Sequence, residues 1–531
     1  MASVHLSPPD VRRHEPAPSL RHAHAVEAVV AHEQALFAGG VDVYGLMVRA
    51  GTAAFEVLRE RWPDAGRIVV LVGPGQNGGD GLVIARLARE AGLHVELLGW
   101  QRPEFTHGAA RARAALAEID AGLAIQTEVS AVREALSGAD VVVDALFGIG
   151  LSRRIEGAPA AFLRQVGEGL IARERRPAVL AIDAPSGLDC DTGAADPLTL
   201  RADVTVTFLG IKRGQVTGAG VARCGERVLA ELGHPMTRPT PDALRLLHGE
   251  GVLAPRPADG HKGTFGTVLV VGGNRGMPGA ARLAGEAALR SGAGKVIVAT
   301  HPSHAATLNI GRPELIVHAV AEAGDLASLL DQAHAVVFGP GLGRDDWAAA
   351  MRDGLRDDRR PMIADADGLR LLAPEVMADR PLVITPHPGE AAELLSCAVP
   401  EINADRTTAA RRLAERCGGT AVLKGAGSLI ATGSETAACL RGSPALATAG
   451  SGDVLSGVIG SLLGQGFPAP QAAEWAVCLH ATAGEFEAEA HGSWGAAALD
   501  LLDPLRALIN GRVRPERPAI TRHRSTTEGA S

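Results

Sequence analysis

The stretch Arg67–Gly81, RIVVLVGPGQNGGDG, decides the fold class. A short β-branched run without polar alternation meets a glycine-rich stop, which is the pattern of a strand covered on both faces in a parallel sheet. The turn that follows satisfies GxGxxG between a strand and a helix, a geometry that brings backbone N–H groups up to a phosphate. That match alone is weak evidence for a dinucleotide site. A hydride-transfer domain would also carry an acid about 20 residues on, at the end of the second strand, to hold a ribose. Glu96 falls mid-strand instead, and Asp80 puts a negative charge where a pyrophosphate would lie.

Working outward, Ala23 to Arg61 shows apolar residues at helical spacing and predicts two helices leading into this strand. Further strands are predicted at His94 to Leu98, Val141 to Leu146, Ala178 to Asp183 and Val204 to Leu209, separated by helical stretches. The alternation predicts an α/β domain with an open, mostly parallel sheet whose ligand lies beyond the strands' carboxyl ends. The proline-rich segment His234 to Gly260 predicts a linker with a short helix at Ala243 to His248, and a boundary near residue 240. A second α/β series follows: Thr267 to Val271, Val296 to Thr300, Leu315 to Val320, Ala335 to Phe338, Pro361 to Asp365, Leu382 to Thr385 and Ala421 to Lys424. Domains are therefore expected over 21–239 and 240–511, with residues 1–20 and the Arg-rich 512–531 as mobile tails.

Composition narrows the function. The 531 residues are 46% hydrophobic and 21% charged with a net charge of −8, which suits two large soluble domains and disfavours nucleic acid as a partner. No apolar run approaches a membrane span and the N-terminus lacks the apolar centre of a signal peptide, so a cytoplasmic protein without membrane contact is expected. A homo-oligomer is expected. Six cysteines at wide spacings fit reduced structural thiols.

The candidate chemistry sits in the loops. Asn77, Asp144 and Ser186 offer oxygen ligands that could converge on a hard cation, leaving Asp80 or Asp183 for work on a substrate. Lys424 is one of four lysines and stands at a strand end before glycines, which suits a phosphate. His387, between prolines, has the setting of a structural histidine. The stretch Ala447 to Gly457, ATAGSGDVLSG, ends in an apolar helix expected to begin at Val454. Its small residues would present bare N–H groups to an anion, and Asp453 beside them suits a catalytic base. Taken alone, the stretch equally suits a tight turn with Asp453 as helix cap.

Nine motifs in order carry a resemblance. HKGTFG, GGNRGMPGAA, GPGLG, TPHPGE, KGAGS and AGSGDVLSG resemble the ADP-dependent NAD(P)H-hydrate dehydratases of the ribokinase-like fold, while GPGQNGGDG, DALFGIGLSR and DAPSG resemble the Rossmann-like NAD(P)H-hydrate epimerase domain. From about residue 20 to 510 the chain is similar to the fused nicotinamide nucleotide repair enzymes of bacteria. The resemblance implies small-molecule substrates: NADH or NADPH hydrated across the C5–C6 double bond, and ADP. One domain would interconvert the R and S hydrates. The other would phosphorylate the S hydrate from ADP and eliminate phosphate.

The resemblance also assigns residues. Gln76, Asn77, Gly78, Gly79, Asp80, Gly148, Ile149, Gly150, Leu151, Ser152, Arg153, Arg154 and Asp183 would contact the hydrate in the first domain, with Asp183 catalytic and K⁺ held by Asn77, Asp144 and Ser186. Ala280, Gly341, His387 and Asp453 would face it in the second, with Asp453 as base. Lys424, Gly425, Ala426, Gly427, Ser428 and Gly452 would hold the nucleotide, which is expected with Mg²⁺. In some epimerases a lysine is suggested as the catalytic partner. None precedes Lys212, so the first domain is expected to lack one, and Arg102 is too basic to shuttle a proton. The alternative functions are a small-molecule kinase of the same fold, or a nucleotide-sensing scaffold without turnover.

Overall fold

The computed structural model describes residues 11–12, 15–101, 103–151, 153–171, 176–249, 252–372, 377, 379–515 and 518–523. The chain divides into two compact units, Pro16–Leu244 with Pro518–Ser531, and Met1–Glu15 with Arg245–Arg517. Each is α/β with a mostly parallel sheet, as the alternation of strands and helices predicts.

Among the described residues the main sheet of the first unit has eight strands, all parallel, in the order Ile520–Arg522, Glu226–Ala230, Val204–Phe208, Ala178–Ile182, Val141–Ala145, Arg67–Val72, His94–Leu98 and Ile125–Gln126. Apart from Arg67 at its start, Arg67–Val72 is buried throughout, as a strand covered on both faces must be. It lies between its successor His94–Leu98 and the later Val141–Ala145, so strand order reverses there and a crevice opens at the strand ends. The helix Gln76–Glu90 is drawn tightly onto this crossing, since a Cβ on Gly78 would stand 2.0 Å from the Gly73 carbonyl oxygen. The predicted loop is thus shorter than its glycines suggest, and Gln76 to Asp80 form the helix's first turn.

The second unit runs Ile316–Ala319, Lys295–Thr300, Thr267–Val271, Ala335–Phe338, Met362–Ala364, Leu382–Ile384 and Thr420–Leu423 in parallel. Leu429–Ala431 and Thr436–Cys439 continue it as antiparallel strands. The helix Ser451–Gly464 is apolar nearly all round and packs between the sheet and the helix Pro278–Arg290. A Cβ on Gly457 would lie 2.1 Å from the Ala284 carbonyl oxygen, so only glycine permits this approach.

Three expectations need correction. The stretch expected as a short helix at Ala243 to His248 is the strand Leu244–Leu247, whose Arg245 to Leu247 pair in parallel with Ala437 to Cys439. A helix that short gains too few internal hydrogen bonds, whereas a sheet edge satisfies its backbone at once. The 1–20 tail includes Val11–Arg12, paired antiparallel with Val252–Leu253, and a 3₁₀ turn at Pro18–Leu20, followed by the strand His22–His24. In the expected 512–531 tail, Ile520–Arg522 adds a strand beside Glu226–Ala230 with Ile520 buried. Composition does not announce strands this short, because their hydrogen-bond partners are distant in sequence. Arg517 and Arg524 lie outside the described residues.

Gly457→Ala should lower the stability of the second unit by about 1–3 kcal/mol through overpacking against Ala284. Chemical denaturation followed by circular dichroism would read this as a lower midpoint at unchanged slope.

Candidate active sites

In the first unit a cavity of about 700 Å³ opens at the strand crossing. Gln76, Asn77, Asp80, Gly148, Ile149, Gly150, Leu151, Arg153 and Asp183 all line it. Gly78 and Gly79 do not; a Cβ on Gly79 would meet the Met47 side chain at 2.6 Å, so these glycines serve helix packing. Arg154 is exposed and outside the lining, and Ser152 lies outside the described residues.

Asp183 follows the strand Ala178–Ile182 and takes a left-handed backbone, φ 62°, which non-glycine residues adopt only when their surroundings impose it. The imposing groups are identifiable. The Lys212 ammonium, fully buried, donates to the Asp183 carboxylate, to Thr207 Oγ1 at 2.9 Å and to the Phe208 carbonyl at 3.0 Å. The Phe208 N–H donates to Asp183 Oδ1 at 3.2 Å, and Gln215 Nε2 donates to the Asp183 carbonyl at 2.7 Å. The expectation that this domain lacks a lysine partner is therefore wrong. Lys212 belongs to the same unit and reaches Asp183 because Ile211–Lys212 follows directly on Val204–Phe208, the strand beside Ala178–Ile182.

The remaining carboxylates of the cavity are pushed toward their neutral forms. Burial first, then the charges of Asp183 and Glu33, hold Asp80 well above the usual carboxylate range. Glu33 is raised by burial and by Asp183, with Lys212 opposing. Behind the cavity wall, Asp144 accepts from Ser186 Oγ at 2.6 Å and from the Ser186 N–H at 2.8 Å. Burial raises the Asp144 carboxyl, and those two bonds oppose the rise. Both polar atoms of the buried Asn77 amide lack a hydrogen-bond partner, so the donor set expected for a cation contains an orphaned oxygen.

In the second unit Asp365, Lys424, Gly452 and Asp453 come together. Helix Ser451–Gly464 starts earlier than expected: Gly450, at φ 86°, is its N-cap, and Asp453 lies inside the first turn as N3. Lys424 Nζ donates to Asp365 Oδ1 at 2.8 Å and stands 3.9 Å from Glu390 Oε2. Ser456 Oγ donates to Asp365 Oδ2 at 2.7 Å. Burial alone would raise the Asp365 carboxyl, but Lys424 and the surrounding hydroxyls bring it below its ordinary value. Asp453 has no such cation to itself. Burial, then the Asp365 charge, push it up to about 7 against the pull of Lys424. A Cβ on Gly452 would lie 3.4 Å from both Lys424 Nζ and Asp365 Oδ2, so the helix N-terminus opens directly onto the pair.

Around this centre, a Cβ on Gly341 would stand 3.1 Å from that of Ala280, which makes the two neighbours. In the Lys424 to Ser428 loop the Gly425 N–H donates to Ser428 Oγ at 3.3 Å. His387 caps the helix Pro388–Leu395, its Nδ1 accepting from Gly389 N at 3.0 Å and Glu390 N at 3.3 Å, while the ring stays half exposed. Sequence reasoning missed Glu33, Lys212, Asp365 and the buried Arg406, which donates to the Lys424 carbonyl at 3.2 Å. The signal for Asp365 was present in the DAD after a strand, and that for Lys212 in the scarcity of lysine. Arg406 and Glu33 sit in helices with nothing local to distinguish them.

Residues 268–506 match the family described as NAD(P)H-hydrate dehydratase, and residues 43–214 the family described as YjeF-related protein N-terminus. A bifunctional NAD(P)H-hydrate repair enzyme of Coxiella burnetii is 42% identical over 482 residues, spanning 89% of this chain and 96% of that one. Its counterpart in Escherichia coli is 40% identical, covering 89% and 91%. An ADP/ATP-dependent NAD(P)H-hydrate dehydratase from Bacillus subtilis, crystallised with ATP and Mg²⁺, is 31% identical over 48% of this chain and 93% of its own, with a TM-score of 0.44.

Lys212→Met should destabilise the first unit by about 3–5 kcal/mol, because it leaves the Asp183 carboxylate unpaired where water reaches it poorly. Urea unfolding of the variant beside the double variant Lys212→Met/Asp183→Asn would check this, the double variant recovering part of the loss.

Proposed function

Because the chain belongs to the family of bifunctional NAD(P)H-hydrate repair enzymes, sharing 42% identity with a member over most of both chains, we propose that its two units carry the two repair reactions on the residues described above. The protein interconverts the R and S hydrates and returns the S hydrate to NAD(P)H at the expense of ADP. The first reaction belongs to the cavity of Asp183 and Lys212, the second to the centre of Asp365, Lys424 and Asp453.

The observation that carries the dehydratase assignment is Asp453, a carboxyl pushed up to about 7 in the first turn of a glycine-opened helix beside the Lys424–Asp365 pair. A base poised near neutrality can take the proton from the hydrate's C6 hydroxyl as its oxygen attacks the β-phosphorus of ADP. The bond from that phosphorus to the bridging oxygen breaks and AMP leaves. The N–H groups around Gly450 to Gly452, together with Lys424, suit the charge on the transferring phosphoryl oxygens. In the second step the C6–O bond breaks and phosphate leaves with its electron pair, the C5 proton is lost and the C5–C6 double bond re-forms. Lys424 to Ser428 and Gly452 are proposed to hold the nucleotide, and Ala280, Gly341 and His387 to border the hydrate. Mg²⁺ would accompany the nucleotide and neutralise its phosphates.

In the first unit, Asp183 is proposed as an acid/base held in place by Lys212. Asn77, Asp144 and Ser186 would hold K⁺, and the orphaned Asn77 amide together with the all-oxygen donor set fits such an ion, which would offset the buried carboxylate charge. No helix among the described residues is long and apolar enough to cross a membrane. The free thiols of all six cysteines suit a reducing cytoplasm.

Hydrated NADH incubated with ADP and Mg²⁺ should recover NADH absorbance, and Asp453→Asn should slow that recovery by about 100-fold or more. Accumulation of a stable phosphorylated hydrate would mark a kinase instead. Asp453 must be ionised to accept a proton and is protonated below its raised pKa. Hence kcat/KM for dehydration should climb with pH and level off above about 7.

A further inference from the structure

Epimerisation at the hydrated carbon makes a demand that one acid does not meet. On a route through loss of water, the C6–O bond breaks with its hydroxyl protonated, so that water leaves and the ring nitrogen's electron pair forms an iminium ion. Water must then add to the other face and give up a proton. The balance is neutral, one proton being delivered and one removed, and no oxidant or reductant is needed. The two proton transfers take place on opposite faces of a flat ring. Two titratable groups carried by different elements suit this better than one.

The helix Val26–Ala38 supplies such a second group. Val29, Val30, Glu33 and Phe37 recur at helical spacing and all line the cavity that Asp183 and Lys212 line, so a single carboxylate sits on an otherwise apolar wall. Among the described residues Glu33 makes no side-chain hydrogen bond or ion pair, unlike Asp183, which Lys212, Phe208 and Thr207 engage. A half-buried, unpaired acid on an apolar face stabilises nothing in the fold that an alanine or leucine would not. We infer that Glu33 is a second catalytic residue of the epimerase, exchanging a proton with the C6 oxygen on one face of the ring while Asp183 serves the other. This rests on the epimerase assignment above. Burial and the Asp183 charge raise the Glu33 carboxyl, which suits the proton-donating partner of an acid/base pair whose environments differ.

The test uses the full-length protein and purified hydrate epimers, with spontaneous interconversion subtracted. Glu33→Gln should lower the R-to-S rate by about 100-fold while leaving the KM for the hydrate and the ADP-dependent recovery of NADH from S hydrate unchanged. Glu33→Asp, which keeps the acid, should retain at least about tenfold more epimerase activity than Glu33→Gln. In H₂¹⁸O the product epimer should carry ¹⁸O at C6. A wild-type protein that interconverts the epimers alongside a Glu33→Gln variant of equal rate would overturn the inference and leave the epimerase assignment standing. So would retention of the original oxygen in the product, since no water would then have left. A wild-type protein with no rate above the spontaneous one would remove the epimerase assignment itself.

Discussion

A carboxylate taken out of water at the end of a parallel strand must lose its charge or find a cation. In this protein two lysines supply that cation, Lys212 fully buried and Lys424 partly so. Lys212 holds Asp183 in the first unit and Lys424 holds Asp365 in the second, and they are two of only four lysines in the chain. Each pair also takes hydrogen bonds from neighbours, Thr207 and Phe208 in one case and Ser456 in the other. Such satisfaction allows a buried pair to persist, since an ion pair alone seldom repays the desolvation of both charges.

The pairs also shape what surrounds them. Once Lys424 is committed to Asp365, the neighbouring Asp453 feels burial and a nearby negative charge more than it feels the cation, and its proton is held up to about neutral pH. The same logic operates around Asp183, where Asp80 and Glu33 are pushed toward protonation by burial and by a carboxylate that already owns its lysine. In the second site Asp365 is drawn toward its ionised form while Asp453 is pushed toward protonation, a division suited to proton transfer in both directions.

The recurrent strand, glycine turn and helix was legible as α/β, and the predicted strands lie within a residue or two of those observed, because burial on both faces writes a continuous apolar run into each. Helix starts were less legible. Glycines signal turns, which points Asp453 and the segment Gln76 to Asp80 to loops, yet Gly78, Gly79 and Gly452 sit inside first helical turns, where backbone at Gly78 and the Met47 side chain at Gly79 leave no room for a Cβ. Lys212 was overlooked as a partner for Asp183 because 29 residues separate them. Only the adjacency of two parallel strands closes that distance.

The sequence by itself determined the two α/β series, the order of their glycine-rich loops and the family those loops resemble, because each of these is written in local periodicity and in the conformations that small residues alone permit. Tertiary structure decided the rest. It decided which lysine meets which aspartate, that an acid on the first helix shares a cavity with Asp183, and that residues near both ends of the chain form strands. The physical reason is common to all three. Electrostatic pairing and strand addition depend on groups brought close by sheet order, and sheet order is a property of the folded chain that no short window of sequence contains.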